Sequence, residues 1–119
     1  MAVLFLTQDL MFFSRVAAAA DRAGLALVAV RSLDEVTPHV QTGDVEVVLL
    51  DLSFDPIDPA ELMGRLRELS AAPPPVVAYA PHVHAAKLEA ARAAGCTEVL
   101  TRGQFDRQMA ALLEKYGGR

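Results

Sequence analysis

The sequence predicts one α/β domain in which five parallel strands alternate with five helices, giving a doubly wound sheet between two helical layers. Three observations predict it. Five short runs are almost continuously aliphatic, as strands buried on both faces of a parallel sheet must be. Five longer segments between them repeat their apolar residues every three to four positions. The two patterns alternate strictly, and right-handed crossovers then leave few topologies.

The first strand is expected over Ala2–Thr7 and the first helix over Leu10–Ala23, closed by Gly24. Met11, Phe12 and Phe13 stand in a row there, more than one face can bury. The spacing favours Leu10, Phe13, Val16, Ala17 and Ala20 as the core stripe, with Met11 and Phe12 at the rim as a docking surface. The second strand follows at Leu25–Val30. The second helix, Leu33–Gln41, opens on the capping box Ser32-Leu-Asp-Glu35, and Pro38 inside it is expected to shorten or kink it. The third strand is Val45–Leu50. The third helix, Pro59–Ser70, has Asp58 as cap and Pro59 at its first position, where no donor is missed. Pro73-Pro-Pro75 forces an extended entry into the fourth strand, Val76–Ala80. The fourth helix, His84–Ala94, ends at Gly95, and Glu98–Thr101 and Gln104–Tyr116 complete the series.

Composition narrows the function classes. The chain has 119 residues, 53% hydrophobic and 22% charged, which suits one folded domain over residues 1–119 with no output domain after it. The net charge of −4 and the lack of any run of lysines and arginines argue against nucleic-acid binding. No apolar stretch approaches the roughly 20 residues that cross a bilayer, and the amino terminus lacks the basic start of a signal peptide. The single cysteine, Cys96, cannot form an internal disulfide and reads as a small core residue, so the cytosol is the expected compartment.

In an open parallel sheet, ligands bind beyond the carboxyl ends of the strands. The residues expected there are Gln8 and Asp9, then Arg31, then Asp51 with Ser53 and Asp55, then Ala80 with Pro81, His82 and His84, and finally Arg102 and Gly103. Two carboxylates at the mouth, Asp9 and Asp51, suit a hard divalent cation such as magnesium. Arg102 could pair with either of them, or with a phosphoryl oxygen. Each also has a plainer reading. Asp51 could cap a loop amide, and Asp9 could be the N-cap of the first helix. His82 and His84 form a His-x-His pair, but two ligands without a third are weak evidence for a metal.

The segments Leu4-Phe-Leu-Thr-Gln-Asp9, Val47-Val-Leu-Leu-Asp51-Leu-Ser-Phe, Pro75-Val-Val-Ala-Tyr-Ala80, Ala93-Ala-Gly95 and Val99-Leu-Thr-Arg102 together resemble the response-regulator receiver domain of two-component signalling, a flavodoxin-like fold. The resemblance spans essentially the whole chain. It implies Asp51 as phosphate acceptor, with magnesium held by Asp9, Asp51 and the backbone carbonyl of Ser53. Arg102 stands where the family has lysine, Gly103 where it has proline, Gln8 where it has a second acid, and Ala80 where it has the hydroxyl residue that grips the phosphoryl group. These departures resemble a degenerate form, a pseudo-receiver.

The expectation is therefore a stand-alone, non-enzymatic signalling module in which phosphorylation switching and magnesium binding are weakened or lost. Its partner is a histidine kinase, a downstream protein or a second copy, met through the first helix or through the fourth helix, fifth strand and fifth helix. One alternative is a working phosphoacceptor in which Asp51 takes phosphate with magnesium. Another is a flavodoxin-like small-ligand binder, against which the acidic loop Leu52–Asp58 counts as a poor phosphate cradle.

Overall fold

The elements run β1 (Ala2–Leu6), α1 (Leu10–Arg22), β2 (Ala26–Ala29), α2 (Leu33–Gln41), β3 (Val45–Asp51), α3 (Pro59–Leu69), β4 (Val76–Ala80), α4 (Ala85–Ala94), β5 (Glu98–Thr101) and α5 (Arg102–Gly117). This is a computed structural model, and it describes residues 1–117. All five strands are parallel, in the order β2-β1-β3-β4-β5. β1, β3 and β4 are thus flanked on both sides, which is why their sequences are the most continuously apolar. Among the described residues, no helix is long and apolar enough to cross a membrane.

Alternation along each strand divides the core in two. Leu4, Leu6, Val48, Leu50, Val76, Ala78 and Ala80 face α2, α3 and α4, where they meet Val36, Leu62, Leu66 and Leu88. Val3, Phe5, Val47, Leu49, Val77 and Tyr79 face α1 and α5. The second layer is aromatic. Tyr79 stacks on Phe105 with ring centres 4.5 Å apart, and Phe12 meets both edge-on at 5.5 and 5.7 Å.

That cluster corrects the expected phase of α1. Phe12 is buried with Val16, Ala19 and Ala20, whereas Leu10, assigned to the core stripe, is exposed. Three consecutive large residues left the phase open, and the gap between Tyr79 and Phe105 decides it for Phe12. Met11 is exposed, as expected.

Pro38 neither shortens nor breaks α2, which runs unbroken from Leu33 to Gln41. The donor it lacks would serve the carbonyl of Asp34, an exposed residue in the first turn, where water can replace it. At the start of that helix Ser32 accepts from the Glu35 amide at 3.2 Å. The glutamate reaches the serine hydroxyl rather than the backbone amide a full capping box would serve. Gly95 closes α4 at φ +91°, with its own amide on Arg92 and that of Cys96 on Ala91, a Schellman closure. Cys96 is half-buried against the α2–α4 layer, and burial pushes its thiol pKa up, which keeps the group protonated.

Candidate functional site

The parallel sheet brings Asp9, Asp51 and Arg102 to one edge, beyond the carboxyl ends of β1, β3 and β5. Asp51 is the last residue of β3 and only 7% exposed. A buried carboxylate must be hydrogen-bonded, and each of its oxygens is. Oδ1 accepts from the Ser53 amide at 2.9 Å, and Oδ2 accepts from the Thr7 hydroxyl at 2.6 Å. Thr7 is itself buried, and its Oγ1 accepts from the Asp9 amide at 3.0 Å, so one hydroxyl ties the ends of β1 and β3 together.

Asp9 is the N-cap of α1, one of the roles the sequence left open, and it also pairs with Arg102. Its Oδ1 caps α1 by accepting from the Phe12 amide at 3.0 Å. Its Oδ2 accepts from Arg102 Nη2 at 2.9 Å. The guanidinium lies over the Phe12 ring, with Cζ 4.5 Å from the ring centre. Arg102 therefore pairs with Asp9 and not with Asp51. It sits there because α5 begins one residue after β5 ends. Thr101 and Gln104 form a reciprocal capping box: the Gln104 amide donates to Thr101 Oγ1 at 3.1 Å, and the Thr101 amide donates to Gln104 Oε1 at 2.9 Å.

The Phe12 amide and, against some desolvation, the Arg102 guanidinium hold the Asp9 carboxyl below the usual carboxylate range. A depressed folded-state pKa stabilises the fold above the unfolded value and loses that contribution as pH falls through the folded one. Asparagine also caps helices well but carries no charge. The stability difference between the protein and Asp9→Asn is thus expected to hold at neutral pH and to shrink below about pH 4. Denaturant midpoints across that range check it.

Four carboxylate oxygens face this pocket, and all four already accept a hydrogen bond. Ser53 meets Asp51 through its amide, and Gln8 is exposed. Among the described residues, no group of three His, Cys, Asp or Glu side chains is placed to hold a metal, the His82/His84 pair included. The Arg102 guanidinium lies on Asp9 Oδ2 and leaves Asp51 to Thr7 and Ser53.

The sequence did not single out Thr7, Tyr79 or the Thr101/Gln104 box. Thr7 follows the register pair Leu6 and Leu50, which makes it the neighbour of Asp51, but only the strand pairing reveals that. The Thr-x-x-Gln pattern was readable. Among the described residues the buried Tyr79 hydroxyl has no hydrogen-bond partner, and desolvation together with the Asp51 charge drives its pKa far up, so it stays protonated. Ala80 is fully buried in the α2–α4 layer and offers no hydroxyl to the pocket.

Solved structures share this architecture over nearly the whole chain. The response regulator signal receiver domain from Bermanella marisrubri superposes with a TM-score of 0.79 at 16% identity, covering 98% of each chain. A response regulator from Hahella chejuensis gives 0.78 at 18%, covering 97% of this chain and 93% of its own. The beryllofluoride-activated NtrC4 receiver domain dimer gives 0.73 at 18%, covering 97% and 98%. No protein-family model matches the sequence, and no curated protein is significantly similar to it. The chain has the fold of response-regulator receiver domains.

Proposed function

We propose that this chain is a cytosolic, non-enzymatic signalling module of two-component type that acts by protein contact. Its acidic pocket is held by Arg102 in one state, with magnesium binding and phosphorylation switching weakened or lost. One observation carries the reading: the guanidinium of Arg102 sits on Asp9 at 2.9 Å and over Phe12, where a cation would have to enter. An arginine held on both sides is no simple replacement for lysine, whose compact ammonium is free to reach a phosphoryl oxygen. Ala80 supports the same reading, because that position carries no hydroxyl to grip a phosphoryl group.

The message then has to pass through a surface. Leu10 and Met11 at the start of α1 are 72% and 83% exposed, and Val83 after β4 is 71% exposed. All three lie at the same sheet edge as Asp51, and exposed apolar side chains there suit a protein partner, a histidine kinase or downstream protein. Self-association is the other version, and one of the similar structures is a receiver dimer.

Incubation with a small phosphodonor and magnesium, followed by intact mass, tests the proposal. No phosphate-sized gain is expected. A gain that Asp51→Asn removes would overturn it in favour of a working phosphoacceptor.

A further inference from the structure

A cleft lies beside the Asp51 edge. α1, the segment after β4 and the amino end of α5 enclose an open cleft of about 570 Å3, and Asp51, Ser53 and Thr7 do not line it. Three arginines do: Arg15, Arg102 and Arg107, against Asp106 as the one carboxylate among the lining residues. No two of them are closer than five positions in sequence, so no basic run announces them.

Each arginine is held differently. Arg15 pairs with Asp106 at 2.6 Å, and Arg102 pairs with Asp9 on its other side. Both guanidinium groups lie against the Phe12 ring, at 5.8 and 4.5 Å from its centre, and each has five N–H donors to share between its carboxylate and a further acceptor. Arg107 has no ion pair or hydrogen bond among the described residues. Its Nη1 lies 3.4 Å from where a Cβ on Gly103 would stand, which places the guanidinium beside the first turn of α5. That turn carries no acidic side chain. Asp106 and Asp9 balance two of the three charges, so the cleft carries the net positive charge of Arg107, and an anion there would be attracted to it.

We propose that this cleft binds a small phosphate-bearing molecule. Guanidinium forks match phosphate oxygens in pairs, and two of these forks are already oriented by the Phe12 ring. The volume is that of a small-molecule site. The overall charge of −4 disfavours a long polyanion such as RNA, so the anion is small.

The test is an NMR titration of the whole chain with inorganic pyrophosphate, with triglutamate as the carboxylate comparison. The expected result is a saturable shift of the Gly103 and Gln104 amides and of the Arg102 and Arg107 side-chain N–H signals, with Ser53 unmoved. Arg107→Glu and Arg107→Ala, both on an exposed residue, should weaken binding about tenfold while leaving the melting temperature unchanged. Shifts that never saturate, or that centre on Asp51 and Ser53, would overturn the site. Triglutamate binding as tightly as pyrophosphate would overturn the ligand class in favour of an acidic protein segment. None of these results bears on whether Asp51 takes phosphate.

Discussion

Tyr79→Ala is expected to destabilise the protein by about 3–5 kcal/mol, the usual cost of emptying a buried aromatic position. Tyr79 is 1% exposed and stacks flat on Phe105, while Phe12 and Phe5 close its other sides. The loss would not stop at the core. Phe12 rests its edge on Tyr79 and carries the Arg102 guanidinium on its face, so the aromatic layer is also the floor of the ion pair. Tyr79→Phe should behave oppositely. The hydroxyl it removes is buried without a partner, and deleting an unsatisfied polar group is neutral or slightly stabilising. Denaturant midpoints at unchanged m-value measure both. A loss above about 1 kcal/mol in Tyr79→Phe would mean that the hydroxyl makes a net-favourable bond, with Thr7 the neighbour to supply it.

Thr7→Val is the second large effect. Valine keeps the shape but removes the donor to Asp51 Oδ2, leaving a 7%-exposed carboxylate with one oxygen unserved. Removing a hydrogen bond to a buried charge costs about 1.5–3 kcal/mol. It also frees the Asp9 amide, which donates to the Thr7 hydroxyl oxygen. Thr7→Ser, which restores the hydroxyl, should recover most of the loss. A Thr7→Val protein as stable as the parent would show that the hydroxyl bridge between β1 and β3 contributes nothing.

The strands were legible because burial on both faces writes a continuous apolar run, and β4 and β5 match their expected bounds residue for residue. The parallel order followed from alternation, and with it the gathering of Asp9, Asp51 and Arg102 at one edge. What a linear pattern could not carry was the partnership of atoms across elements. Phe12 was misplaced because the space it fills is bounded by Tyr79 and Phe105, more than sixty positions away. Arg102 had two acids within reach on paper, and the cap that starts α5 aims it at Asp9. Thr7 carries no signature of its own. Its role exists only once β1 is laid beside β3.

The ion pair between Arg102 and Asp9 is the point on which the set state of the pocket depends, and magnesium tests it most directly. Titration of the parent and of Arg102→Ala with magnesium chloride, followed by the amide signals of Asp9, Asp51 and Ser53, separates the cases. The expected result is no saturable response in the parent through the millimolar range and a saturable one in the variant, whose Asp9 is released. Saturable binding by the parent, as tight as that of the variant, would contradict it.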